Sequence, residues 1–259
     1  MARQRMGQHF LGNPNWRKRI FDSLPRPGKE TWVEIGAGHG EITQLLAADG
    51  RRVVAIEADP HLAAGLTDEA AGWGHVEVVE GDILRLDLEK IVGGDFRVYG
   101  NLPYYITSPI LHQLFDYTDR LISIHIVIQL EVAERIVCAP GRRNYGYLSA
   151  VCQFYTRPEI AFRIPPGAFR PPPRVKSALL HMTIPGEFES LKVDDEHRFL
   201  EFIATSFGQK RKTLRNNLLS IMPDEHIQAA LADCGIRSDS RAEQLSLAQF
   251  AKLYAWGLG

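Results

Sequence analysis

The chain has no apolar run approaching the ~20 residues that a membrane span requires. Cysteine is scarce: Cys138, Cys152 and Cys234 are widely spaced and odd in number. That excludes a disulfide framework and a zinc site, and points to reduced thiols in a cytoplasmic protein. The nine histidines never fall into an H-x-x-H or H-E-x-x-H spacing, so no metal site is expected. The opening "MARQRMGQHF" is basic and lacks the apolar centre of a secretion signal. Internal repeats and low-complexity segments are missing too. A hydrophobic content of 45% and a charged content of 24% over 259 residues fit one large α/β domain, alone or with an appendage.

Neither sign of charge prevails, since the net charge is −1, but the charges are unevenly spread. Residues 1–29 carry seven bases and one acid, residues 30–100 five bases and fourteen acids, and residues 134–176 eight bases and two acids. Two basic blocks thus flank an acidic one. Basic blocks on a nearly neutral chain point to a local polyanion footprint, and the acidic block suits a cationic ligand. Arg142 and Arg143, inside the second basic block, are candidates for such a footprint.

Short β-branched runs recur: "WVEIGA" (32–37), "RVVAIEAD" (52–59), "VEVVEGD" (76–82), "RVYGNL" (97–102) and "LISIHIVIQ" (121–129). Amphipathic helical stretches separate the first three, which predicts βαβ units and a parallel sheet. "SAVCQFYT" and "SALLHMTI" read as a closing, hairpin-like pair of strands around a proline-rich loop. Beyond Pro185–Gly186 the texture turns helical, so the expected boundary falls there, with domains at 1–185 and 186–259.

"VEIGAGHGEIT" sets Gly36, Gly38 and Gly40 between a strand and a helix. Glycines there permit a tight turn and close approach to a ligand. The spacing departs from the dinucleotide fingerprint, and no Lys-Ser/Thr follows, so the loop suits a nucleoside without a pyrophosphate. Glu34, just inside the strand, is placed to orient a ligand amine. Glu57 ends the second strand where a carboxylate accepts ribose hydroxyls, and Asp82 ends the third within reach of an adenine amine. Each acid alone reads as a helix cap or a surface charge. Together at one sheet edge they resemble the S-adenosylmethionine-dependent methyltransferases.

The fourth strand then runs into "NLPYY". An adenine amine is a poor nucleophile because its lone pair is delocalised into the ring. The Asn101 side-chain oxygen and a backbone carbonyl near Leu102–Pro103 could accept its two hydrogens and localise that pair. Proline fixes the local backbone, and Tyr104 supplies a stacking face. In "FRPPPRVK", Phe169 is the candidate for the opposite face of the base, with Arg170, Arg174 and Lys176 beside it. "FGQKRKTLRNNL" adds Lys210, Arg211, Lys212 and Arg215 as phosphate contacts.

"MGQHFL", "EIGAGHG", "GDIL", "NLPYYITSPIL", "YGYLS", "FRPPPRVKSAL", "FGQKRKTLRNNL" and "SRAEQLS" occur in this order over nearly the whole chain. Together they resemble the small-subunit ribosomal RNA adenine dimethyltransferase family. That resemblance implies a Rossmann-like methyltransferase sheet in residues 1–185, led by a basic segment at 1–29, and an all-helical domain in 186–259 that contacts RNA. It implies S-adenosyl-L-methionine as cofactor, with His9 and Leu11 covering it, Gly36 and Gly38 in its loop, Glu57 on the ribose and Asp82 on the adenine. Asn101 would touch both cofactor and target. The implied substrate is a pair of adjacent adenosines in the 3′-terminal hairpin loop of 16S rRNA in the small subunit, each taken to the N6,N6-dimethyl form, by a monomer. Two departures stand out: His9 where many relatives carry Asn, and Lys176 where an acid is common. The erythromycin-resistance methyltransferases of large-subunit RNA share the first half, and a non-catalytic assembly factor on the same fold is the competing class.

Overall fold

The computed structural model describes residues 9–257. Arg3, Arg5 and the Met6–Gln8 part of "MGQHFL" lie outside the described residues. Compactness divides the chain into two units, Met1–Ala133 with Pro158–Ile184, and Glu134–Arg157 with Pro185–Gly259.

The first unit carries strands β1 (Thr31–Ile35), β2 (Val53–Glu57), β3 (Val76–Glu80), β4 (Phe96–Asn101), β5 (Leu121–Gln129), β6 (Arg157–Ile164) and β7 (Ser177–Thr183). They form one sheet in the order β3-β2-β1-β4-β5-β7-β6. β1 pairs in parallel with β2 and β4, β2 with β3 and β4 with β5, while β5 meets β7 antiparallel. β1 and β2 are buried at every position, as expected of central parallel strands covered on both faces. Helix α1 (Pro14–Ser23) precedes the first strand, and α2 (Glu41–Ala48), α3 (Pro60–Ala70), α4 (Leu88–Val92) and α5 (Thr107–Phe115) connect β1 to β5. Asn13 and Asp59 cap α1 and α3, each followed by a proline at the first helical position, where no N–H is missed. Ile20 of α1 and Ile42 and Leu46 of α2 pack with Trp32, Val53 and Tyr99 of the sheet to form the core on one face.

One expectation is overturned. "SAVCQFYT" is not a strand but belongs to an α-helix, Tyr147–Tyr155, and the true partner of β7 at the sheet's edge is β6. An eight-residue apolar stretch does not discriminate a buried strand from a buried helix, and this helix buries Ala150, Val151, Cys152, Phe154 and Tyr155 nearly all round. The β6 sequence "RPEIAFRI" hides its strand character behind a proline and alternating exposed polar residues, which is how an edge strand reads.

The second unit is helical. α6 (Leu130–Ile136) leads into it, followed by α7 (Tyr147–Tyr155), α8 (Phe188–Leu191), α9 (Glu196–Ser206), α10 (Leu214–Leu218), α11 (Asp224–Asp233) and α12 (Leu247–Gly257). Its core is aromatic: Phe199 lies 5.4 Å from both Phe154 and Tyr254, ring centre to ring centre, and Phe202 lies 5.8 Å from Tyr254. Among the described residues no helix is long and apolar enough to cross a membrane. Nor, among them, is there a group of three or more His, Cys, Asp or Glu side chains that could hold a metal ion.

Candidate active site

The sheet order reverses at β1 and β4, whose connections leave toward opposite sides, and the crevice opened at such a switch point is where α/β sheets bind ligands. An open cleft of about 860 Å³, counted to its mouth with solvent included, lies there. It is lined by His9, Gly36, Glu57, Asp82, Asn101, Leu102, Pro103 and Tyr104 of the sequence-derived set, together with Phe10, Ile83, Tyr105 and Ile110 among others.

Glu57, Asp82, Asn101 and Tyr104 of this lining are each held in a direction. Glu57, 3% exposed, accepts the Gly38 N–H at 2.8 Å on one oxygen and the Asp59 N–H at 2.9 Å on the other. Its remaining lone pairs are those left for a ligand. Asp82 caps the 3-10 turn Ile83–Arg85 by accepting the Leu84 N–H at 3.1 Å. Gly36 has φ +72°, and a Cβ built there would meet only the Asn101 carbonyl oxygen, at 4.0 Å. The backbone therefore leaves open space at the cleft where any side chain would intrude, which is the fit a nucleoside ligand needs. Gly40 (φ +77°) opens α2, where a Cβ would overlap the Leu66 side chain.

Asn101 ends β4. Its Nδ2 donates to the His9 carbonyl at 2.8 Å, so Oδ1 is the amide atom left to accept. Leu102 N–H donates to Val127 O at 3.1 Å and fixes the chain after the strand. The Pro103 carbonyl is already occupied, accepting from Ile106 N–H at 3.2 Å and Thr107 Oγ1 at 3.3 Å. Of the two backbone acceptors considered, this leaves the Leu102 carbonyl. The Tyr104 hydroxyl is paired with Ser177 Oγ at 3.1 Å, and burial pushes its pKa up, partly opposed by that bond. The His9 side chain is anchored in turn: Nδ1 donates to Pro171 O at 2.8 Å, and its ring lies 5.9 Å from the Tyr104 ring, centre to centre. Phe10 exchanges both backbone hydrogen bonds with Arg170 at 3.0 and 2.8 Å.

Several expected residues sit elsewhere. Leu11 and Phe169 are 6% and 2% exposed and pack together in the core under α1, outside the cleft lining. In the extended stretch around 169–170, pairing with Phe10 turns Arg170 outward and Phe169 inward, so that ring has no free face in the cleft. Gly38 contributes its N–H to Glu57 rather than a wall. Glu34 is wholly buried beneath α2, accepts the Thr43 hydroxyl at 2.6 Å and does not line the cleft. Burial pushes its carboxyl up to about 8, opposed by the Thr43 bond and reinforced by the nearby Glu41 and Glu57. It is therefore mostly neutral at pH 7 and does not orient a ligand amine. Among the basic candidates, Arg142, Arg143, Arg170, Arg174, Lys210, Arg211 and Lys212 are exposed, whereas Arg215 makes a bidentate pair with Asp224 at 2.6 Å for each bond.

Sequence reasoning missed Gln113. From α5 its Nε2 donates to the carbonyls of Ile83 and Leu86, at 2.7 and 3.1 Å, tying the turn that follows Asp82 to the helix that follows "NLPYY". A glutamine on an amphipathic helix gives no signal of this in the sequence.

The fold and the cleft define a Rossmann-like, S-adenosylmethionine-dependent methyltransferase. A model of the ribosomal RNA adenine dimethylase family matches residues 1–257, and the chain belongs to that family. Ribosomal RNA small subunit methyltransferase A of Xanthomonas campestris pv. campestris (strain B100) is 41% identical over 254 residues, covering 97% of this chain and 95% of that protein. The protein of the same name from Xanthomonas euvesicatoria pv. vesicatoria is 39% identical with the same coverage. Two solved structures share the fold over 95% of this chain: a dimethyladenosine transferase from Plasmodium falciparum (TM-score 0.81, 22% identity, 96% of that chain) and the 23S rRNA methyltransferase ErmE (TM-score 0.73, 24% identity, 98% of that chain).

Proposed function

We propose that this chain methylates N6 of two adjacent adenosines in the 3′-terminal hairpin loop of small-subunit rRNA, in the cytoplasm and as a monomer. The observation that carries the site assignment is the meeting of Glu57, Asp82, Asn101 and Tyr104 in one cleft at the switch between β1 and β4. The 41% identity to a small-subunit methyltransferase supports the choice of RNA.

When bound, S-adenosylmethionine supplies a methyl group made electrophilic by its sulfonium. Glu57, oriented by two backbone N–H groups, takes the ribose hydroxyls. Asp82 takes the adenine amine, Gly36 gives the methionine part room, and His9 and Phe10 close the top. Asn101 Oδ1 and the Leu102 carbonyl accept the two hydrogens of the target amine. That withdraws the lone pair from the ring and aims it, which is catalysis by positioning, with no proton taken before transfer. Tyr104, its hydroxyl anchored on Ser177, presents one face to the extruded base and offsets part of the cost of unstacking it. The methyl–sulfur bond breaks as the nitrogen–methyl bond forms, the neutral thioether leaves, and the cationic amine then releases one proton to water. A single hydrogen remains, so one acceptor loses its partner. The family's description as a dimethylase supports a second transfer to the same nitrogen. Arg142, Arg143, Arg170, Arg174, Lys210, Arg211 and Lys212 supply phosphate contacts.

Mass spectrometry of small-subunit RNA tests this. RNA from cells lacking the protein should lose the methyl groups on two adjacent adenosines, and an Asn101→Ala copy should fail to restore them. Unchanged masses reject the assignment and favour a non-catalytic assembly role. Lost methyl groups in large-subunit RNA would move the substrate to the activity named for ErmE.

A further inference from the structure

Tyr105 is 61% exposed, the highest value among the exposed large apolar side chains of the described residues. It follows Tyr104 directly and lines the same cleft as Asn101 and Glu57. Among the described residues nothing holds it by a hydrogen bond, ion pair or ring contact, whereas Tyr104 is tied to Ser177. The residue expected to give a second stacking face, Phe169, is 2% exposed in the core. Phe169 thus offers no face to the cleft, the lining Phe10 is packed against His39 at 5.1 Å, and Tyr105 stands unclaimed at the rim. A single exposed aromatic is ordinary on a protein surface; Tyr105 differs in lining the cleft beside Tyr104 with its ring unpartnered.

Extruding an adenine into the cleft also strips a stacking partner from the base beside it. We propose that Tyr105 stacks on the nucleobase adjacent to the adenosine being methylated and replaces the extruded base in the RNA stack. The inference rests on the RNA-adenine reading given above. Tyr105 is then a substrate-binding residue whose partner is a purine face. Every base offers a π-face, but the larger ring of adenine covers more of the tyrosine, so a pair of adjacent adenosines suits this rim. The phenol oxygen is not needed, because the stack is ring on ring.

A double-mutant cycle tests the stack. Small subunits carrying either the native pair or a uridine in place of one adenosine are methylated by the parent chain and by Tyr105→Ala, and kcat/KM is read at the remaining adenosine. Loss of one base–aromatic stack, about 1–3 kcal/mol, predicts a drop of roughly 5- to 150-fold for Tyr105→Ala on native subunits. The parent chain should lose a similar factor on the uridine subunits. The combination should then be little worse than either change alone, because both remove the same interaction. Tyr105→Phe should recover most of the loss. The affinity of Tyr105→Ala for S-adenosylmethionine, measured by calorimetry without RNA, should move less than twofold and shows that the variant is folded. Losses that multiply independently, or a Tyr105→Ala rate within twofold of the parent, overturn the proposal, as does a loss confined to the cofactor. A parent chain that leaves small subunits unmethylated sinks the functional reading and this inference with it. Methylation by the parent without coupling sinks the inference alone.

Discussion

In the cleft, Glu57 receives two backbone N–H groups, Asn101 gives its amide to the His9 carbonyl, and Tyr104 is moored to Ser177. In the segment before α10, Lys210, Arg211 and Lys212 stand exposed, while the neighbouring Arg215 is occupied by Asp224. The two regions do different physical work. In-line transfer to a weak nucleophile depends on direction, so its groups are oriented before any ligand arrives. Attraction of a polyanion depends on the number of charges and tolerates mobile side chains. A cation with a carboxylate already in its fork serves the second purpose poorly, so Arg215 is better assigned to holding α10 against α11.

The largest effect that would sharpen this contrast is expected from Asn101→Asp. The substitution keeps an acceptor for the target amine but replaces the donor that the His9 carbonyl holds, setting two acceptors against each other. Methyl transfer at saturating substrates should fall about 100-fold or more, the scale of losing one positioned polar group. A rate near that of the parent chain would mean that amide orientation is unimportant. Glu57→Gln comes next. It leaves a neutral amide where a carboxylate meets the ribose, and affinity for S-adenosylmethionine by calorimetry should weaken roughly 10- to 100-fold.

Smaller effects are expected outside the cleft. Replacing Lys210, Arg211 and Lys212 together by Ala should weaken binding to small subunits and flatten its dependence on log salt, by about 0.7–0.9 for each phosphate no longer neutralised. Arg215→Ala should leave that slope alone and lower Tm instead. The smallest is a pH effect at Glu34. Its folded pKa of about 8 lies above the ordinary glutamate value of 4.5, so the folded state binds the proton more tightly. Stability from this group is therefore full below about pH 4.5 and is lost as pH rises toward 8. Glu34→Gln should match the parent Tm near pH 4.5 and exceed it by several degrees at pH 8.5. A difference independent of pH would contradict the buried, neutral carboxyl.

The strands that build the cleft are legible in the sequence because each is a short β-branched run with a glycine or an acid at its end, and sheet topology makes those ends neighbours. The first four strands and "LISIHIVIQ" follow from that pattern. Phe169 is drawn to the cleft by its place in a string, yet nothing in the string tells which side of an extended chain it faces. That depends on pairing between residues 160 apart, Phe10 with Arg170. Helix α7 is unreadable because so short an apolar stretch does not tell a buried helix from a buried strand. The clamp on Asn101 is invisible for a different reason: its acceptor is a backbone carbonyl, and every residue has one.

A crystal structure with S-adenosylhomocysteine tests the centre of the account most directly. The ribose hydroxyls should lie on Glu57, the purine edge on Asp82, and the sulfur should face the space beside Asn101 Oδ1. A ligand bound outside the cleft, or one whose ribose makes no contact with Glu57, would contradict it.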